Sequence, residues 1–97
     1  MKSEEEILTR QQFLIQEMKA KSGTDTFNIL KRQYNILSWA RNKTKKQILD
    51  RLQFLLDEMI IYKNDTNYFY ELEVIGNTLI WILKDDNIEG EKENDNK

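Results

Sequence analysis

Apolar residues return every three or four positions in four separate stretches of this chain, and polar stretches divide them. Phe27, Leu30, Tyr34 and Leu37 form one such stripe; Ile48, Leu52, Leu55, Met59 and Tyr62 form another; Tyr68, Leu72, Ile75, Leu79 and Ile82 form a third. That spacing places each set on one side of an α-helix, and no strand-like alternation competes with it. A weaker stripe of Ile7, Leu14 and Met18 is interrupted by Gln11. Gly23 followed by Thr24 and Asp25, then Thr44, then Asp65 or Thr66, supply stop and cap residues between the stretches. The pattern predicts helices over 4–21, 25–42, 45–63 and 66–85, with no proline to break them.

The pattern also repeats. ILTRQQFLIQEM at 7–18 returns as ILDRLQFLLDEM at 48–59, identical at eight of twelve positions. An offset of 41 pairs Ile7, Phe13 and Leu14 with Ile48, Phe54 and Leu55, and after one inserted residue an offset of 42 pairs Leu37 and Trp39 with Leu79 and Trp81. The inserted residue falls where a loop absorbs it. The repeated unit is therefore a helix pair of about 40 residues. One hairpin of this length buries too little surface to stand alone, and duplication lets each cover the other's stripe. The sequence thus predicts an all-α, antiparallel four-helix bundle from two tandem αα-hairpins. A dimer in which two chains pair their hairpins is the alternative. The domain spans 1–84, with hairpin one at 4–42 and hairpin two at 45–85, followed by an acidic tail over 86–97 that lacks periodicity and is expected to be disordered.

Composition narrows the chemistry. The 97 residues include no cysteine and no histidine, which removes disulfides, thiol and imidazole catalysts and the commonest transition-metal ligands. There is no Gly-rich phosphate loop and no nucleophile beside a base, so the expectation is a protein that is not an enzyme and carries no cofactor or metal. The acidic N-terminus and the lack of a long apolar run predict a cytoplasmic protein with no membrane span. Abundant Lys, Asn and Ile, all with AT-rich codons, suggest a low-GC bacterium or one of its phages or plasmids.

Two sets of residues are candidate sites. The turn RNKTKK at 41–46 places Arg41, Lys43, Lys45 and Lys46 at the start of the third helix, where the helix dipole favours acids. Together with Lys31 and Arg32 they are candidates to bind an anion, a nucleotide or nucleic acid. On a protein of net charge −2 that is a modest basic footprint, and a solvated turn is the plainer reading. The repeated aromatics Phe13, Phe54, Trp39 and Trp81 are the second set. As structural residues, the Trp pair would close the open ends of the hairpins and the Phe pair would fill the seam between them. Exposed, they would anchor a partner protein or a second copy.

Leu37–Trp39 and Leu79–Trp81 end their hairpins with a Leu-x-Trp motif that resembles uncharacterised small phage and plasmid proteins built from helical hairpins. This resemblance implies a mobile-element origin. The size, the four-helix layout and DRLQFLLDEM at 50–59 are also similar to the bacteriocin immunity proteins of lactic acid bacteria, which implies a guard of a membrane receptor. Three functions follow as expectations: a non-catalytic module that modulates or inhibits a host protein, such as a defence component; a nucleic-acid or nucleotide binder; and an immunity protein.

Overall fold

A computed structural model describes residues 1–84 as four helices: α1 (Glu4–Ala20), α2 (Asp25–Ala40), α3 (Lys45–Ile61) and α4 (Thr66–Leu83). The tail expected over 86–97 lies outside the described residues. Each helix starts where a side chain takes up a free backbone N–H. Ser3 accepts from the Glu6 N–H while Glu6 accepts from the Ser3 N–H, and Thr44 and Gln47 repeat that reciprocal cap on α3. Thr24 caps α2 and Asp65 caps α4. Such a cap contributes about 1 kcal/mol. In the α1–α2 loop Gly23 takes a φ of 80°, a left-handed conformation open to glycine and strained for most other residues.

The helices pair α1 with α2 and α3 with α4, and the two hairpins meet through α2 and α4. The molecule is the expected antiparallel bundle of two tandem hairpins, with α1 and α3 on its outside. The core repeats as the sequence does. Ile7 and Ile48, Leu14 and Leu55, Leu37 and Leu79, and Ala40 and Ile82 are equivalent pairs, and all are buried. Truncating any of the larger ones to alanine costs about 2–5 kcal/mol.

One pair of core positions is filled differently in the two halves. Gln11 is buried, and its Nε2 donates to Ser38 Oγ at 2.7 Å and to the Tyr34 carbonyl at 3.2 Å. That explains how a polar residue interrupts the first stripe without cost: its amide is satisfied inside the hairpin. In hairpin two Leu52 takes the place of Gln11 and Gly76 that of Tyr34. A Cβ on Gly76 would lie 3.9 Å from Leu52 Cδ1, so the glycine leaves room for the facing leucine, and α4 runs unbroken through it.

The two ends of the domain repeat the central turn. The Lys43 N–H donates to the Ala40 carbonyl at 3.1 Å between α2 and α3. At the equivalent place the Lys2 N–H donates to the Ile82 carbonyl at 2.7 Å, which ties the start of α1 to the end of α4. The ammonium groups follow suit: Lys43 lies 5.4 Å from the Trp39 ring and Lys2 5.1 Å from the Trp81 ring.

Candidate functional site

The four aromatic residues divide into two half-buried and two exposed. Trp39 and Trp81 are half-buried, and each packs on the core under a lysine. Phe13 and Phe54 are 53% and 52% exposed and do not fill a seam between the hairpins, which corrects that expectation. Their position explains it. Each lies one residue before a core leucine, Leu14 or Leu55, and a single helical step turns a side chain by about 100°, here out of the core.

Each exposed phenylalanine has an arginine over its face, Arg10 at 5.5 Å from Phe13 and Arg51 at 5.6 Å from Phe54. Such cation–π pairs are worth about 0.5–1 kcal/mol at the surface. Arg10 and Arg51 were not among the sequence candidates. The signal was present in the repeat, which matches the two arginines to each other as it does the two phenylalanines.

The basic candidates are not gathered into one site. Arg41, Lys43, Lys45 and Lys46 share the α2–α3 turn at one end of the bundle, while Lys31 and Arg32 sit about 14 Å back along α2. Several are already engaged. Arg32 pairs with Glu71 of α4 at 2.9 Å, Lys46 with Asp50 at 3.0 Å, Arg41 approaches Glu4 at 3.9 Å, and Lys43 covers Trp39. The reversed dipole at the start of α3 is thus partly offset by Asp50, one turn in.

At the opposite end, the Tyr68 hydroxyl donates to Glu58 Oε2 at 2.7 Å and its ring meets Tyr62 edge-on at 4.8 Å. The hydrogen bond to the carboxylate, then partial burial and nearby negative charge, raise the Tyr68 phenol above its usual value of 10.0. A small cavity of about 140 Å³ opens between α1, α2 and α4, lined by Arg10, Leu14, Gln33, Leu37, Asn77, Thr78 and Trp81. Every buried side-chain polar atom among the described residues has a partner, and the cavity contains no carboxylate that a metal or a general base would require.

A second set of exposed apolar residues lies on α3 and α4: Leu49, Leu56, Ile60 and Ile61, with Tyr70 and Ile80. The sequence stripes pointed to the core and passed over this second face. No helix among the described residues is long and apolar enough to cross a membrane. Compared with protein-family models, with curated proteins and with solved structures, the chain gives no match.

Proposed function

We infer that this chain is a non-catalytic, cytoplasmic protein-interaction module of a phage or other mobile element that binds a host protein and modulates or inhibits it, for example a component of defence. The duplicated arginine-covered phenylalanine carries this reading. A half-exposed Phe under an arginine offers the aromatic area and the guanidinium that dominate binding hot spots, and the hairpin repeat presents the pair twice. A bundle with satisfied buried polar groups holds both knobs on rigid helices, so little ordering entropy is lost on binding.

The test is affinity capture from a low-GC bacterial lysate by the intact protein and by Phe13→Ala/Phe54→Ala, each washed in high salt. The expected result is one protein retained by the parent and released by the double variant. Equal retention by both removes the phenylalanines as anchors. Retention of nucleic acid alone, lost steeply with salt, moves the function to the second reading, an anion or nucleotide site at the turn end of the bundle. That reading has its own support, because the bonds from Lys2 to Ile82 and Lys84 bring two more basic residues to the end that carries Arg41, Lys43, Lys45 and Lys46.

A further inference from the structure

The duplication provides a control for the surface as well as for the core. Equivalent core positions match apart from Gln11/Leu52 and Tyr34/Gly76, whereas on the outer side of α3 and α4 hairpin two departs from hairpin one at further positions. Ile60 stands where hairpin one has Lys19, and Ile80 where it has Ser38; Leu49 and Leu56 keep the apolar character of Leu8 and Ile15. Leu49, Leu56 and Ile60 follow one line along α3, at intervals of seven and four, and are 45%, 44% and 71% exposed.

The close approach of Leu52 to Gly76 shows how the two helices face each other. Turning outward from that contact, α3 presents Leu49, Leu56 and Ile60, and α4 presents Ile80, 40% exposed and one turn beyond Gly76. The rim departs from hairpin one in the same way. Asp50 and Asp57 flank the α3 side, and Glu73, one turn before Gly76, flanks the α4 side; hairpin one has Thr9, Gln16 and Lys31 there. The core does not require these differences, since hairpin one packs an equivalent core without them.

We propose that this outer face of α3 and α4 is a docking groove for a basic amphipathic helix of a partner protein. Apolar side chains one turn apart would cover Leu49, Leu56, Ile60 and Ile80, and lysines or arginines on their flanks would meet Asp57 and Glu73, Asp50 being paired with Lys46. The charges select among occupants. A second copy would bring a rim of the same sign against Asp57 and Glu73, and an anionic lipid surface would meet both carboxylates. The groove rests on the reading of the chain as a protein-binding module and adds the chemistry of the partner.

The experiment titrates the intact protein into a labelled, designed helix of about five turns, with a leucine stripe flanked by lysines, and into its glutamate-flanked twin, by fluorescence anisotropy. The lysine peptide is expected to bind at least about tenfold more tightly than its twin. Ile60→Lys/Ile80→Ser, which restores the hairpin-one residues, is expected to lower affinity about tenfold with unchanged helical circular dichroism. Asp57→Asn/Glu73→Gln is expected to weaken binding and flatten its salt dependence. Equal binding of the two peptides, or unchanged binding by the isoleucine double variant, overturns the groove. Phe13→Ala/Phe54→Ala is expected to bind the lysine peptide like the parent. If a captured partner depends on the phenylalanines but not on Ile60 and Ile80, the module reading stands and the groove falls.

Discussion

Replacing Gly76 by alanine is expected to stabilise this protein, although the site is buried in the middle of α4. Glycine in a helix interior is about 0.8–1 kcal/mol less favourable than alanine, because more backbone freedom is lost on folding. At many buried glycines that gain is cancelled by a clash. Here the nearest side-chain atom to an added Cβ is Leu52 Cδ1 at 3.9 Å, an ordinary van der Waals distance. The methyl also removes apolar surface from water, worth up to about 0.8 kcal/mol. The sum is about 1–2 kcal/mol of added stability, and each 1 kcal/mol raises the melting temperature of a domain this size by about 4–8 °C. Urea unfolding followed by helical circular dichroism reads the change as a higher midpoint at constant slope. Gly76→Leu is the counterpart: it overfills the space Leu52 uses and is expected to cost about 1–3 kcal/mol. A lower midpoint for Gly76→Ala would refute the reasoning, because it would mean that α3 and α4 approach more closely at Gly76 than 3.9 Å implies.

Two further outcomes follow from the buried and partly buried polar groups. Gln11→Leu, which copies Leu52, is expected to change stability by less than about 1 kcal/mol, since leucine replaces the lost hydrogen bonds with apolar burial; Gln11→Ala leaves a cavity as well and is expected to cost about 2–4 kcal/mol in the same urea assay. The raised phenol of Tyr68 makes part of the stability pH-dependent. The folded protein holds that proton above pH 10, where the unfolded chain releases it, so the contribution is complete below about pH 10 and fades as pH rises through the folded value. Tyr68→Phe is expected to flatten the alkaline fall in the urea midpoint as pH rises above about 10, and an unchanged slope would assign that fall to other groups.

The helices were legible in the sequence because their ends carry chemistry. Thr24, Thr44 and Asp65 are caps whose oxygens have one obvious task, and the observed starts fall on them. Duplication was legible because Ile7 and Ile48 recur at an offset of 41 and Leu37 and Leu79 at 42, one residue apart. The meeting of the hairpins through α2 and α4 was not, since an amphipathic stripe says that a helix buries one side and not which neighbour covers it. Phe13 and Phe54 stand one position off the stripe, and they were assigned to a seam because a large aromatic beside the stripe is more often core than surface. The apolar face of α3 and α4 needed the fold first, because only the known orientation of Leu52 and Gly76 tells which unmatched positions share a side.

The hydrogen bond from Lys2 to Ile82 bears on how the two units are held together. In an open repeat array every added unit leaves a fresh face bare, and a specialised cap must end the series. Here the join that α2 makes to α3 through the chain is made again, without a peptide link, between α4 and α1. The two hairpins meet through α2 and α4, so each covers the other's inner side, and the repeated join ties both hairpins at the same end of the bundle. With the shared interior held in this way, the outer surface is free to diverge between the halves.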